Sequence, residues 1–269
     1  MKAYKIIDEA RDSILIGYLL SFEHGASFSV ELSDDLTVKD SPLFFESFIN
    51  KGQLTVDPLW SERWVRSRIV PEDRQNLGAV LLDNKLKEYD VLRLLMLGGG
   101  RCAQDDCAVI PESPARIPEW LFIRRQRKLE YAICIGDYEI LSIFRDGSMW
   151  RVDPIVEGLA DDRLSRICGR PNLMRQMKLI PGGLGVQWQG DIVLTAEQLY
   201  GKGKMLPIDH SEFDRLIKYY IMLTPDVCSE LDCSRQYINR IVKDGSLQAL
   251  RDSDSVRIYT ASEVARFRE

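Results

Sequence analysis

The chain has 269 residues, 45% of them hydrophobic, with a formal net charge of -5 and a mean hydropathy of -0.19. These values predict a soluble globular protein with more than one domain, and the acidic balance argues against indiscriminate binding of nucleic acid. The longest apolar run, around residues 14–20, is too short for a membrane span. The first residues lack the apolar core of a signal peptide, so we expect a cytoplasmic protein.

The cysteines do not form a familiar metal-binding pattern. Cys102 and Cys107, and likewise Cys228 and Cys233, are separated by four residues, and the chain contains only two histidines. Zinc sites usually combine cysteines that are two residues apart, or cysteine with histidine. We therefore expect reduced, mostly buried thiols, no metal and no cofactor.

Residues 1–112 are predicted to form an α+β domain. Residues 27–32 alternate polar and apolar side chains with a period of two, which is typical of a half-buried strand. Ser41-Pro42 and Asp57-Pro58 have the capping residue and proline that favour the start of a helix. A further helix is predicted after Asp90, ending at the triple glycine of residues 98–100.

An arginine-rich part of this domain permits two interpretations. Arg63, Arg66, Arg68 and Arg74 lie near two tryptophans and could bind nucleic acid or an acidic partner. The neighbouring acidic residues favour a solvated helix face instead.

The same region carries a resemblance. It lies in residues 64–76 (WVRSRIVPEDRQN), 86–90 (LKEYD) and 100–106 (GRCAQDD). These segments resemble bacterial proteins related to HipA-type toxin–antitoxin systems. The resemblance implies no chemistry, because the nucleotide loop and catalytic motifs of a kinase cannot be assembled around these segments.

A proline-rich stretch, residues 111–118, predicts a linker to a second α+β domain, residues 113–210. Residues 127–135 and 138–144 are strand-like, and Asp146-Gly147 predicts a hairpin turn. Residues 124–128 (RRQRK) could contact phosphate, although a solvated junction between helix and strand is favoured. We expect the tryptophans Trp150 and Trp188 to be packing anchors rather than stacking platforms.

This second domain resembles the bacterial family of unknown function called DUF2442. The matching features are residues 143–147 (IFRDG) before a strand that ends in Asp153, residues 185–188 (GVQW) before Asp191-Ile192, and Leu199-Tyr200. The resemblance implies a small α+β domain often found near toxin–antitoxin genes, and it implies no catalytic residues.

Residues 211–269 have the outline of a winged helix-turn-helix. Thr224 and Pro225 predict the start of one helix, the chain turns at Asp232-Cys233, and a second helix spans residues 235–243. Ser234 is the expected cap of this second helix and Gly245 its end. Residues 247–251 and 256–259 alternate like two short strands, and a last helix begins near Ser262. This order of elements resembles the excisionase/MerR-type helix-turn-helix family.

The candidate site is one face of the helix 235–243. Ile238, with Ile241 or Val242, is predicted to face inward. The opposite face carries side chains that suit the major groove, since arginine pairs with guanine, asparagine or glutamine with adenine, and lysine with phosphate or guanine. Further arginines at the helix start and in the hairpin are expected to hold phosphates. The full predicted set is Arg235, Gln236, Asn239, Arg240, Lys243, Arg251 and Arg257. Asp252 and Asp254 at the hairpin tip would repel phosphate, which leaves insertion of the wing open.

The sequence therefore predicts a multidomain α+β protein whose C-terminal head reads double-stranded DNA as a transcriptional or antitoxin-like repressor. An alternative is an antitoxin-like adaptor that binds a protein partner through residues 1–210. A homodimer is expected by analogy, because two half-sites strengthen binding. Enzymatic activity could rest only on Asp105-Asp106 and scattered acidic residues. We expect no enzyme, since no nucleophile–base pair or phosphate loop accompanies them.

Overall fold

The structure is a computed structural model that describes residues 2–22, 25–135, 137–189, 191–253 and 256–268. It is an α+β protein in which helices alternate with several small sheets. Its contacts divide the chain into two compact units, residues 1–146 with 150–204, and residues 147–149 with 205–269. The division near residue 204 lies close to the boundary predicted at 210. No such division occurs near residue 112, where the sequence places its first boundary.

A five-stranded antiparallel sheet begins the first unit. Its strands are β1 (Lys2–Asp8), β2 (Ile14–Phe22), β3 (Ser27–Leu32), β4 (Thr55–Val56) and β5 (Cys107–Pro111). They lie in the order β4-β3-β2-β1-β5. Pro111 pairs with Tyr4 at the end of β5, so the stretch that was interpreted as a linker begins within the sheet. Strand β3 has the predicted bounds, but it is buried on both faces rather than half-buried, and Glu31 in it is inaccessible to solvent.

Four helices lie in the same part of the chain as this sheet. They are α1 (Leu43–Asn50), α2 (Pro58–Arg66), α3 (Leu77–Asp83) and α4 (Val91–Leu97). Asp57 caps α2 as predicted, because its carboxylate accepts from the Trp60 N–H at 3.1 Å. Ser41 does not cap α1, since its hydroxyl donates to the Val38 carbonyl instead. The core below these helices contains large buried side chains, among them Ile6, Leu19, Phe45, Trp64 and Leu95.

In the arginine-rich region of this unit, Arg66 and Arg68 are paired with side chains of the same unit. Arg66 pairs with Glu62 at 2.8 Å on the surface of α2. Arg68 is buried, stacks on Trp64 and forms a double hydrogen bond with Asp105, at 2.9 and 2.5 Å. Neither interpretation of the sequence anticipated this buried pair, whose partners are 37 residues apart.

Short helices and strands follow along the chain between residues 119 and 205. They are α5 (Glu119–Gln126), β6 (Leu129–Ile135), β7 (Glu139–Phe144), β8 (Met149–Val152), α6 (Asp162–Ser165), α7 (Pro171–Met174), β9 (Lys178–Leu179), β10 (Gly185–Trp188), β11 (Ile192–Thr195), α8 (Ala196–Leu199) and β12 (Lys204–Met205). Strands β6, β7 and β8 are consecutive neighbours, and β9, β10 and β11 form another sheet with β10 in the centre. Trp188 is a packing anchor as expected, because it is buried and its indole N–H donates to the Met174 carbonyl at 3.0 Å.

The basic stretch at residues 124–128 links α5 to the first sheet by hydrogen bonds. Arg124 donates to Glu31 Oε2 at 3.1 Å, and Lys128 donates to the hydroxyl of Thr55, which in turn donates to Glu31 at 2.7 Å. We call Glu31, Thr55, Arg124 and Lys128 the Glu31 network. Lys128 is buried, so the predicted solvated junction is wrong at this position.

The second unit contains the predicted head. Its elements are α9 (His210–Tyr220), β13 (Ile221–Leu223), α10 (Thr224–Glu230), α11 (Arg235–Lys243), β14 (Arg251–Asp252), β15 (Arg257–Thr260) and α12 (Ala261–Arg268). The three strands form an antiparallel sheet in the order β13-β15-β14. A small core of Val227, Ile238, Ile241, Leu247 and Tyr259 joins the helices to the sheet. Within the described part of the chain, no helix is long and apolar enough to cross a membrane.

Candidate nucleic-acid interface

The turn between α10 and α11 is fixed by backbone hydrogen bonds. The Cys233 N–H donates to the Cys228 carbonyl at 3.0 Å, and the Asp232 N–H donates to the Ser229 carbonyl at 3.4 Å. Asp232 has a φ of 48°, in the left-handed region. These are the features of a Schellman motif, in which one left-handed residue stops a helix and redirects the chain. The tight turn predicted at Asp232-Cys233 is therefore confirmed.

Helix α11 has the predicted bounds, residues 235–243. The Ser234 hydroxyl caps it by accepting from the Tyr237 N–H at 3.3 Å, and Gly245 follows its end with a φ of 82°. Ile238 and Ile241 are buried in the head core. The polar side chains of the opposite face are exposed, so this helix presents them to solvent on a rigid backbone.

The exposed face of α11 and the β14–β15 hairpin enclose a groove of about 1290 Å³, which we call the α11 groove. Six of the seven predicted residues line it: Arg235, Gln236, Asn239, Arg240, Lys243 and Arg257. Arg251 does not line it, although it is exposed on the neighbouring strand. The groove thus brings together the helix side chains and one of the two hairpin arginines.

Arg257 is held by two partners rather than projecting free from the hairpin. Its Nε donates to Asp252 Oδ1 at 2.6 Å, and its Nη1 donates to Oδ1 of Asn239 on α11. The hydrogen bond to Asp252 raises the pKa of Arg257 above its ordinary value. The side chain of Arg257 is only 24% exposed. The role expected for it, a free phosphate contact, therefore does not match its geometry.

Tyr237 contacts one of the groove residues, and the sequence interpretation did not include it. The guanidinium of Arg240 lies 4.9 Å from the centre of the Tyr237 ring. Such a cation–π contact restricts the orientation of the arginine before any ligand binds. The spacing of three residues on one helix is the signal that could have identified the pair.

Two acidic residues line the groove as well. Asp244 accepts from both the side chain and the backbone of Ser246, which lowers the pKa of its carboxyl. Asp252 is paired with Arg257, so its charge is compensated and its expected repulsion of phosphate is reduced. Asp254, the other acidic residue predicted at the tip, lies outside the described residues.

Several local details of the head differ from the sequence prediction. Thr224 is the first residue of α10 and does not cap it; instead the Asp226 carboxylate accepts from the Leu223 N–H at 2.8 Å. Strand β14 is confined to Arg251–Asp252 rather than residues 247–251, because Leu247 is buried in the core before the strand begins. Strand β13 was not predicted, since three residues are too few to establish a period.

The thiol of Cys233 in the head shows no activation. All six cysteines of the chain are free. Burial, followed by the charges of Cys228 and Asp232, raises the pKa of the Cys233 thiol. A raised pKa disfavours the thiolate that binds metals or attacks as a nucleophile. Among the residues that the structure describes, no group of three or more His, Cys, Asp or Glu side chains is arranged to hold a metal ion.

Comparisons of the chain with models of known families, with curated proteins and with solved structures gave no match. The α11 groove is therefore the feature of the molecule from which a function can be inferred. Its chemistry is that of guanidinium, ammonium and amide donors displayed from one helix beside a short hairpin. Such donors can bind phosphate oxygens and the edges of bases.

Proposed function

We propose that the protein is a DNA-binding regulator whose winged helix-turn-helix head reads the major groove with α11. The observation that carries the proposal is the α11 groove. The polar face of one exposed helix lines it, with the side chains of Arg235, Gln236, Asn239, Arg240 and Lys243. The order of helix, Schellman turn, helix and hairpin supports the winged helix-turn-helix assignment.

The size and charge of this face support DNA as the ligand. The major groove of B-DNA, about 12 Å wide, admits one α-helix. Among the described residues, Arg235 and Lys243 have no ion-pair partner, while Arg240 contacts the ring of Tyr237 and interacts electrostatically with the carboxylate of Asp244. These three cations are available to phosphates or guanines, while Gln236 and Asn239 supply amides for base edges. An acidic chain can therefore bind DNA locally, because these three cations share one face.

We assign the protein the role of a transcriptional or antitoxin-like repressor that acts as a homodimer. Two heads on one palindromic site would multiply the affinity of a head whose own contacts are few. The first unit would supply sensing or a protein contact.

The test is binding to labelled duplex DNA from the region upstream of the protein's own gene, measured by fluorescence anisotropy. The double variant Arg240→Glu/Lys243→Glu is compared with Arg215→Glu/Lys218→Glu, which makes the same charge change on α9 of the same unit. We expect the first variant to lose affinity by at least about 100-fold at 50 mM salt and the second to lose much less. Equal losses, or no loss in the first variant, would refute the groove assignment.

A second candidate function, protein binding, is favoured by helix α9. It buries none of its residues, and Leu216, Ile217 and Tyr220 are exposed on the same side of the helix as Phe213. Exposed apolar residues at helical spacing are typical of a surface that docks another protein. A stoichiometric partner that co-purifies with the wild type but not with Leu216→Ser/Ile217→Ser would support this candidate. Its absence would leave DNA binding as the only function with structural support.

A further inference from the structure

The side chain of Asn239 lines the α11 groove, and its oxygen already forms a hydrogen bond within the protein. Its Oδ1 accepts from Nη1 of Arg257, which belongs to the hairpin 18 residues further along the chain. The Nδ2 group of Asn239 has no such partner in the part of the chain that the structure describes. The amide is therefore fixed with its acceptor engaged and its two donors available.

Arg257 is itself fixed by the hairpin. Its Nε donates to Asp252 Oδ1 at 2.6 Å, and Asp252 and Arg257 are opposite each other in the antiparallel pairing of β14 and β15. A hydrogen bond between two charged groups is about twice as strong as a neutral one. Asp252, Arg257 and Asn239 thus form a chain of contacts from hairpin to helix, which holds Asn239 in one orientation.

This orientation matters because the bases differ in what they present to the major groove. An asparagine that reads adenine needs both ends of its amide, with Oδ1 accepting from N6 and Nδ2 donating to N7. Guanine presents two acceptors, O6 and N7, and requires only donors. Oδ1 keeps a second lone pair, but the amino group of adenine would have to approach it beside the positive guanidinium of Arg257. The same charge attracts the O6 of guanine.

On the basis of the proposed DNA-binding function, we infer that Arg257 is a specificity-determining residue that converts Asn239 from a reader of adenine into a reader of guanine. It acts through Asn239 and is therefore a positioning residue. Asp252, which was expected only to repel phosphate, stabilises this arrangement. Arg251 makes no contact with Asn239 and takes no part in it.

The experiment is selection of bound sequences from a library of random duplexes with the full-length protein, followed by sequencing. The position read by Asn239 is identified as the one at which Asn239→Ala abolishes base preference. For the wild type we expect guanine at this position. For Arg257→Ala we expect the ratio of guanine to adenine to fall by about tenfold, in keeping with the discrimination of one good base contact. The matched control, Arg251→Ala, removes the other hairpin arginine and should leave the ratio unchanged.

A second variant keeps Arg257, so its result can be interpreted even if the hairpin is not intact in Arg257→Ala. Asn239→Asp keeps a partner for the guanidinium but replaces the amide donors by an acceptor. We expect it to select bases that present an amino group, cytosine or adenine, at the same position. The circular dichroism of each variant checks that the head remains folded.

The outcomes separate this inference from the proposed function. If the wild type enriches no sequence and binds no duplex at low salt, the proposed function fails. If the wild type enriches a motif with adenine at the Asn239 position, or if guanine persists there in Arg257→Ala, DNA binding stands and the role of Arg257 is refuted. Guanine that persists there in Asn239→Asp refutes that role as well, because Arg257 acts through Asn239.

Discussion

The Glu31 network makes a quantitative prediction for stability. Glu31 is fully buried, and two cations face it, with Arg124 at 3.1 Å and Lys128 at 3.7 Å. The side chain of Lys128 is only 4% exposed, so it cannot recover its hydration if its counter-charge is removed. Lys128 also faces Glu197 at 3.5 Å, but the side chain of Glu197 is 63% exposed. The two carboxylates therefore make the same kind of pair in different environments.

We expect Glu31→Gln to lower the free energy of unfolding by about 3 kcal/mol, since breaking a buried pair leaves an uncompensated charge. The matched control, Glu197→Gln, breaks an exposed pair and should cost less than about 1 kcal/mol. For a unit of roughly 200 residues, the difference corresponds to a drop in Tm of about 5–10 °C.

The assay is urea and thermal unfolding of the full chain followed by tryptophan fluorescence. All five tryptophans lie in the first unit, so the signal reports on that unit and not on the head. If the two substitutions lower the free energy of unfolding equally, or if Glu31→Gln lowers it by less than about 1 kcal/mol, the ion pairs of Glu31 do not stabilise the contact between α5 and the sheet.

Two further predictions concern the first unit. Burial raises the pKa of Asp105, but the hydrogen bonds and charge of Arg68, together with donation from the Cys107 backbone, outweigh it and lower the pKa below 3.8. The pair therefore stabilises the fold above that pH, and this stabilisation is lost as the pH falls through the lowered pKa. Asp105→Asn should therefore flatten the decline in the free energy of unfolding between about pH 5 and pH 2, as measured by urea unfolding. Gly183 and Gly201 both have positive φ, but a Cβ at Gly183 would lie 1.9 Å from the Leu129 carbonyl oxygen, whereas Gly201 has open space. Gly201→Ala should lower the free energy of unfolding by about 1–2 kcal/mol, because of backbone strain. Gly183→Ala should lower it by several kcal/mol more, and equal Tm values for the two variants would contradict this.

Local signals predicted the parts of the fold that depend on neighbouring residues. The capping serine before α11 and the glycine after it fixed the bounds of that helix, and Asp57-Pro58 placed the start of α2. Strand β2 was missed because a continuous apolar run has no period that separates strand from helix. The bounds of β1 are set by its pairing with β2 and β5. The short strand β13 has its bounds set by pairing with β15, a contact that local pattern does not encode.

The candidate site shows the same limit. Helical periodicity was enough to place Gln236, Asn239, Arg240 and Lys243 on one face. The engagement of Arg257 depends on the fold of the hairpin back onto the helix, which no local pattern specifies. For this reason the same role, a phosphate contact, was predicted for Arg257 and Arg251. In the structure Arg257 contacts Asn239 and lines the groove, whereas Arg251 does neither. Likewise, the partner of Arg124 in the Glu31 network lies 93 residues away in the chain.

The salt dependence of duplex binding tests the central claim, that α11 meets the phosphates and bases of DNA. With Arg235, Arg240 and Lys243 on this face, we expect the logarithm of the binding constant to fall with the logarithm of salt concentration at a slope of about -3. Lys243→Gln should reduce the steepness by about 1, whereas Lys218→Gln, on α9 of the same unit, should leave it unchanged. Binding that is independent of salt, or a slope that both substitutions leave unaltered, would contradict the account.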